Sequence, residues 1–216
     1  MNWDWGFVAE NLPLLLDGLK ITVFATILGS LVALVVGLVL ALLRRSSVRA
    51  VQLAATAVVE FIRSTPLLVQ LYFLFFVLPA LGLTLPALAT GVIGLGLHYA
   101  AYMSEVYRAG IDGVPRGQWE ACTALSLPRR KVWADVILPQ AIPRVLPALG
   151  NYIIAMFKDT PLLSAITVGE MLLAAKTVGS ETFRYLEPIT MVGLLFLVVS
   201  ILAAVPLRVL ERRFGH

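Results

Sequence analysis

Three long segments without a charged side chain limit what this chain can fold into. Residues 21–43, 64–104 and 188–207 contain no Asp, Glu, Lys or Arg. A helix of roughly 20 apolar residues crosses the hydrocarbon core of a bilayer, which is about 30 Å thick. Of the 216 residues, 59% are hydrophobic and 14% are charged, which is more apolar than one soluble core requires. The sequence therefore predicts an all-α integral membrane protein.

Turn signals divide the apolar sequence into five predicted transmembrane helices. Residues 64–104 are about twice the length of one span, and Pro79, Gly82 and Pro86 provide a turn near their middle. Residues 145–157 are too short alone, so that span must continue to about Ile166. We expect a single transmembrane domain over residues 1–216. Its predicted parts are an outer amphipathic helix at 1–18 and spans at about 19–43, 50–79, 86–110, 143–166 and 187–209.

The basic residues predict the orientation, because cytoplasmic loops carry an excess of Lys and Arg. With five spans, all three basic clusters lie on one side, which places the N-terminus outside and the C-terminus in the cytoplasm. Trp3, Trp5 and Phe7 are expected to anchor the outer helix at the interface. The basic clusters consist of Arg44, Arg45 and Arg49, of Arg108, Arg116, Arg129, Arg130, Lys131 and Arg144, and of Arg208, Arg212 and Arg213.

Several classes of function are disfavoured by what the sequence contains. No segment matches the phosphate-binding loop G-x-x-x-x-G-K-[ST], so we expect this chain to hold no nucleotide or other cofactor of its own. Cys122 is the single cysteine, which excludes an internal disulfide or a cysteine metal cluster. Basic residues are not interleaved with aromatics, so no nucleic-acid partner is predicted. No nucleophile and base pair stands out, and enzyme activity is not expected.

The polar loop at about residues 115–142 interrupts the apolar sequence. Residues 118–125 favour a helix, and Pro128 favours the start of a second short helix, since proline in a first turn loses no hydrogen bond. On that second helix an apolar stripe recurs at helical spacing. The stripe either fills a groove of a partner protein or lies on lipid headgroups. Its members are Val132, Trp133, Val136 and Ile137.

The same loop carries a known signature. EAC at 120–122, ALSL at 124–127 and ILPQA at 137–141 resemble the EAA loop of ATP-binding-cassette import permeases. That resemblance implies the type I importer permease fold, in which a bent helix pair docks in a cleft of a cytosolic ATPase subunit. The residues it marks as contacting the ATPase are Glu120, Ala121, Ser126, Trp133 and Pro139.

Two positions depart from the family's signature. Cys122 and Ser126 stand where the family usually has alanine and glycine. Glycine is the residue that turns a backbone most easily at the end of a helix. We expect Ser126 and Pro128 together to make the bend instead.

Four further motifs are similar to the polar amino-acid and opine subfamily of these permeases. They are FIRSTPLLVQ at 61–70, YMSEVYRAG at 102–110, VPRGQW at 114–119 and KDTPL at 158–162. WDW at 3–5 and AMFKDTPLLSAI at 155–166 are most similar to permease subunits for the compatible solutes ectoine and hydroxyectoine. The resemblance implies a bacterial inner-membrane importer with two permease subunits, identical or paralogous, two ATPase subunits and an external solute-binding protein. Transport is then by alternating access.

Charged residues inside the predicted spans are the candidates for the substrate path. Arg63, Lys158 and Asp159 each cost roughly 2.5 to 3.5 kcal/mol near a helix centre. A zwitterionic substrate would offset that cost, with its carboxylate on Arg63 and its amine or amidine on Asp159. Alternatively, the charges pair between helices or reach an interface. Tyr152 stands where an arginine-transporting relative is expected to be acidic, and it favours a flatter or less cationic solute.

Other polar or small residues admit two interpretations each. Glu60 and Gln70, one and two turns from Arg63, are secondary candidates for the path. His98 is expected to be a packing or hydrogen-bonding residue rather than a ligand. A face of small residues on the first span predicts close helix packing, with a substrate path as the alternative. Those residues are Gly29, Ala33, Gly37 and Ala41.

Two other functions agree less well with the sequence than that of an importer subunit. A secondary transporter or channel could use the same buried charges, yet it has no need of the bent cytoplasmic helix pair. A purely structural membrane anchor would leave Arg63 and Asp159 unexplained.

Overall fold

The computed structural model describes residues 3–214, with side chains described to residue 209. The described residues form eight helical segments and no strand. These are α1 (Trp5–Leu43), α2 (Arg49–Arg63), α3 (Leu67–Leu81), α4 (Ala87–Asp112), α5 (Arg116–Ala124), α6 (Arg129–Ile166), α7 (Met171–Thr182) and α8 (Leu186–Phe214).

Helix α1 is one continuous helix of 39 residues, about 58 Å long at 1.5 Å per residue. The prediction of a separate amphipathic helix at residues 1–18 is therefore wrong. Its sequence joins the first span without a break, and Pro13 lies inside the helix. The helix begins after Asp4, whose carboxylate accepts hydrogen bonds from the amides of Gly6 and Phe7. Residues 1 and 2 lie outside the described residues.

The predicted span at 50–79 is not one straight helix. Helices α2 and α3 meet at an angle of 103° at Ser64–Thr65–Pro66. Pro66 disfavours the helical conformation at the residue before it, so α2 ends there. The Gln70 side-chain amide then donates to the backbone carbonyls of Ile62 at 2.8 Å and Thr65 at 3.1 Å. One glutamine thus satisfies two carbonyls that the bend leaves open.

Four long helices lie side by side in the bundle. Helices α1, α4 and α8 run in the same direction, and α6 runs opposite to them. Arg44 of α1 bonds Glu105 of α4, and Gly29 of α1 lies against Leu95 of α4, so these helices are parallel. Helix α8 follows α1 in the same direction, since Phe7 lies beside Pro188 and Val23 beside Val199. Helix α6 runs opposite to α4, because Val145 packs on Gly110 and Leu163 on Gly91.

This alternation is the one that five spans require, but the number of spans and their orientation stay predictions. Helices α1 and α8, the latter to Val209, are long and apolar enough to cross a membrane. The bent pairs α2 with α3 and α6 with α7 raise the count to four if each is one span. Helix α4 covers the predicted third span at 86–110 almost residue for residue.

The face of small residues on α1 packs against α4, as predicted. Gly29, Ala33, Gly37 and Ala41 are all buried. A methyl group added at Gly37 would lie 2.9 Å from the carbonyl oxygen of Ala100 and 3.1 Å from Cβ of Met103. Since the nearest atom belongs to the backbone, this contact needs a residue without a side chain.

Asp4 also joins the N-terminal ends of α1 and α8 through Arg184. Arg184, in the turn before α8, bonds Asp4 at 3.4 Å, contacts Glu187 through a charge-assisted hydrogen bond and covers the ring of Phe7 at 4.5 Å. The amides of Phe7 and Gly6, with a smaller contribution from Arg184, lower the pKa of the Asp4 carboxyl. The carboxylate form that caps α1 is thus favoured at neutral pH, and the capping is lost as the pH falls through that lowered pKa.

The orientation can be tested by labelling a single cysteine. Cys122 itself is only 4% exposed, so an impermeant thiol reagent would react with it poorly from either side. In a Cys122→Ser background we expect Gly117→Cys, which is exposed with open space around it, to be labelled in inside-out vesicles and not in intact cells. Labelling of intact cells would show that this loop is external. Membrane-permeant reagent is the control for reactivity.

Candidate functional site

Four aromatic rings from α4 and α6 form a cluster inside the helix bundle, which we call the tyrosine cluster. It consists of His98, Tyr99 and Tyr102 on α4 and Tyr152 on α6, with neighbouring ring centres 5.3 to 6.4 Å apart. Positions 98, 99 and 102 share one face of α4 because residues three and four apart are neighbours on a helix. Tyr99 is buried, and the other three rings are partly buried.

Asp159 lies at one side of the tyrosine cluster. It ends the regular α-helical part of α6, two turns beyond Tyr152 on the same face. Its carboxylate accepts a hydrogen bond of 2.7 Å from the Tyr99 hydroxyl. Lys158 is exposed, and its side chain does not follow Asp159, since successive residues of a helix point about 100° apart. The structure therefore brings Asp159 and Tyr152 together and leaves Lys158 outside.

Arg63 lies at another side of the same cluster. Its guanidinium is 5.5 Å from the centre of the Tyr102 ring, within the range of a cation–π contact. The guanidinium also lies 3.4 Å from Glu105 and 3.5 Å from Glu60. Arg63 is exposed in this chain. Of the alternatives for the charges within the spans, pairing between helices is present, and the interhelical partner of Arg63 is Glu105 of α4. Asp159 is connected to Arg63 only through tyrosine rings.

The two secondary candidates differ in what they contact. Gln70 uses its amide nitrogen for the bend between α2 and α3, and its oxygen lies 3.1 Å from Nδ1 of His98. It thus fastens the bend to the tyrosine cluster, and His98 has the hydrogen-bonding role expected of it. Glu60 is exposed at the edge of α2 and contacts Arg63 alone among the described ion pairs.

Glu105 is the functional candidate that the sequence did not single out. Besides Arg63, its carboxylate binds Arg44 at 2.7 Å and Arg108 at 2.8 Å. Arg108 continues the network to Asp112, which also pairs with Arg45 in the turn after α1. The available signal was the spacing of Tyr99, Tyr102, Glu105 and Arg108, each three residues apart, which makes each side chain a neighbour of the next on α4.

The loop with the EAA-like signature makes the predicted bend. Helix α5 ends at Ala124, and Ser126 adopts a left-handed conformation with φ of 52°. The amide of Leu127 returns to the carbonyl of Cys122 at 3.1 Å, and α6 begins after Pro128. Ser126 and Pro128 thus replace the family's glycine turn, as expected.

The apolar stripe packs in part against the chain itself: Ile137 is buried, while Val132, Trp133 and Val136 are partly buried. Trp133 packs edge to face on Trp119 of α5 with ring centres 5.6 Å apart, and Ile137 is fully buried. Ile111 and Val114 complete this small core within the chain itself. The second helix is not separate either: α6 runs from Arg129 without a loop, through a π-helical turn at Val132–Ile137, into the bundle.

What the loop exposes is its tip. Leu125 is 72% exposed, directly before the left-handed Ser126. Glu120 and Ala121 on α5, Ser126 in the bend and Pro139 on α6 are exposed as well, so these marked residues are accessible. Trp133 is the exception among them.

Bent apolar helices around an internal polar cluster, with an exposed helical loop at one end, are typical of the membrane subunits of multi-pass transporters. Residues 20–216 match the family described as binding-protein-dependent transport system inner membrane component. The chain therefore belongs to this family and has its type I ABC importer permease fold.

Individual relatives cover nearly the whole chain. A probable amino-acid ABC transporter permease, y4tG of Sinorhizobium fredii, is 49% identical over 97% of this chain and 93% of its own. The arginine transport system permease ArtQ of Bacillus subtilis is 34% identical, over 99% and 98%. The crystal structure of an amino acid ABC transporter with histidines superimposes with a TM-score of 0.94 at 36% identity, covering 99% of this chain and 100% of that one.

Proposed function

We propose that this protein is the permease subunit of an ATP-driven importer for polar amino acids or amino-acid-like compatible solutes. The observation that carries the proposal is the tyrosine cluster with a cation and an anion at different sides, namely Arg63 at Tyr102 and Asp159 at Tyr99. A zwitterion offers a carboxylate to the first and an amine or amidine to the second. The amino-acid names of the relatives support the same substrate class.

Within that class, ectoine or hydroxyectoine is our preferred substrate. Ectoine carries a carboxylate and a cyclic amidine, and a flat cation can stack on tyrosine rings. Tyr152 belongs to the cluster, with its ring 5.7 Å from Tyr102 and 6.2 Å from Tyr99. This preference rests on Tyr152 and on the similarity of residues 3–5 and 155–166 to ectoine permeases. Another amino acid or an opine is the alternative.

The proposed complex contains a second permease, identical or paralogous, two cytosolic ATPase subunits and an external solute-binding protein. The family's description as a binding-protein-dependent inner membrane component supports the last of these and the bacterial inner membrane as its location. The exposed tip around Leu125 is the part of this chain that enters the ATPase cleft. ATP binds to the ATPase subunits, and this chain supplies no cofactor site. An ATP-independent secondary transporter would not need that tip.

Replacing Arg63 tests the substrate site. In reconstituted complex, Arg63→Gln is expected to weaken uptake of carboxylate-bearing solutes by about 1.5 to 3 kcal/mol, or roughly ten- to hundredfold, because a charge-assisted contact is lost. Tyr152→Ala should impair ectoine uptake more than uptake of a linear amino acid. Radiolabelled ectoine, arginine and glutamine are the substrates to compare.

The matched control is Arg45→Gln. Arg45 belongs to the neighbouring ion-pair network, where it pairs with Asp112. Complex yield and ATP hydrolysis must be measured beside uptake, since Arg63→Gln could also loosen α2 from α4. If the Arg63 variant assembles and transports all three solutes as the wild type does, the substrate site lies elsewhere.

A further inference from the structure

A row of neighbouring side chains on α4, which winds around the helix, connects the tyrosine cluster to the basic end of the bundle. Tyr99, Tyr102 and Glu105 follow one another at intervals of three residues, and the six residues from first to last rise about 9 Å along the helix. Tyr99 contacts Asp159, Tyr102 contacts Arg63, and Glu105 contacts Arg44 near the end of α1. Glu105 thus lies between the cluster and the end of the bundle that is predicted to face the cytoplasm.

Glu105 holds its three arginines unequally. The shortest contacts are 2.7 Å to Arg44 and 2.8 Å to Arg108, and both are ordinary charge-assisted hydrogen bonds. The contact to Arg63 is 3.4 Å. Arg63 is therefore the arginine that can leave, and Glu105 would remain bound by the other two without becoming a buried charge that lacks a partner.

We propose that Glu105 is a positioning residue that holds Arg63, and with it the end of α2, across the cytoplasmic side of the tyrosine cluster until a substrate carboxylate takes Arg63 over. This inference rests on the proposed function, because it needs a substrate with a carboxylate. The exchange balances charge: Arg63 gives up one carboxylate and gains another. Helix α2 is released from α4 only when substrate is present, so the opening of the cytoplasmic side depends on occupancy.

The arrangement of α2 suits such a release. It is joined to α3 by the 103° bend at residues 64–66, and Val59 and Ala55 are its only buried residues. Gln70 binds both the Ile62 carbonyl at the end of α2 and His98, so this point is the pivot about which the rest of α2 would move when Arg63 leaves Glu105. The Arg63 to Glu105 contact is the interhelical ion pair between α2 and α4 among the described side chains.

The test measures ATP hydrolysis by the complete complex in lipid vesicles without substrate. Glu105→Gln is expected to raise this basal rate about two- to fivefold, the factor that a partly exposed ion pair carries. Addition of binding protein with arginine or ectoine should then stimulate hydrolysis less than in the wild type. Asp112→Asn is the matched control, because it removes a carboxylate of the same network that does not contact Arg63. Its basal rate should be that of the wild type.

A double-mutant cycle separates this role from a folding defect. Once Arg63→Gln has removed the partner, Glu105→Gln should have no further effect on the basal rate. Additive effects, or an unchanged basal rate in an assembled Glu105→Gln complex, would overturn the proposal.

Glu105→Asp keeps the charge and should restore the wild-type rate if Glu105→Gln assembles poorly. Reduced uptake by Arg63→Gln together with an unchanged basal rate in Glu105→Gln leaves the substrate site standing and removes only the positioning role. Wild-type uptake by Arg63→Gln contradicts the proposed function itself.

Discussion

An aspartate in place of Trp133 is expected to abolish transport by unfolding the loop through which we propose that this subunit docks on its ATPase. Trp133 packs against Trp119 and shares a small core with the fully buried Ile137. Losing a tryptophan from such a core costs about 3 kcal/mol or more, and a desolvated carboxylate adds to that cost. Protease digestion in detergent should cut the purified variant between α5 and α6 at a dose that leaves the wild type intact.

Leu125→Asp is the matched control, because it places the same charge on the exposed tip. We expect the Leu125 variant to keep wild-type protease resistance while it fails to hold the ATPase subunit in co-purification. Trp133→Phe, which keeps an aromatic ring, should retain most of the activity. Wild-type uptake by the Leu125 variant would contradict docking through the tip and favour the interpretation that this loop lies on lipid headgroups.

A leucine at Gly37 is expected to prevent α1 from packing on α4. Even the first carbon of a side chain at this position would meet the carbonyl oxygen of Ala100 at 2.9 Å and Cβ of Met103 at 3.1 Å. Because the backbones of α1 and α4 have to move apart, we expect the free energy of unfolding to fall by about 3 kcal/mol or more. Thermal unfolding of the purified protein should show a lower midpoint, and the yield of folded protein should fall.

Gly193→Leu is the control for the change from glycine to leucine in a membrane helix. Gly193 lies in α8 and has no atom within 4 Å of the position of an added carbon. Its variant should unfold at the wild-type temperature. Equal stability of the two variants would mean that the α1–α4 contact is looser than the structure shows.

The general architecture could be predicted from the sequence because the membrane imposes it. Segments without charge give the positions of the long helices, and small residues at every fourth position of α1 gave the face that packs on α4. The turn at Ser126 was also predictable, since Pro128 prevents α5 from continuing. Local rules were sufficient for each of these features.

The departures come from contacts between distant residues. Nothing near residues 1–18 indicated that the outer helix and the first span form one helix. The stripe around Trp133 has the spacing of a surface that binds a partner, yet Trp119, fourteen residues earlier, covers it. The sequence predicted that Arg63 and Asp159 share one zwitterionic substrate or that the charges pair between helices, whereas the structure pairs Arg63 with Glu105. Helical spacing specifies which residues share a face, and only the packing of helices specifies what that face meets.

The continuity of α6 has a mechanical consequence. The helix from Arg129 to Asp159 is 31 residues long, about 46 Å, and it contains the π-helical turn at Val132–Ile137 but no loop. One end lies beside the tip at Leu125. The other end carries Asp159, whose carboxylate accepts the hydrogen bond from Tyr99 in the tyrosine cluster. In the proposed importer, a tilt of about 5° around the middle of this rod would shift both ends by about 2 Å in opposite directions. The ATPase would then contact one end of α6 and the solute the other. Movement driven by hydrolysis at the first end would reach the solute through the rigid helix itself, without successive changes in side-chain contacts.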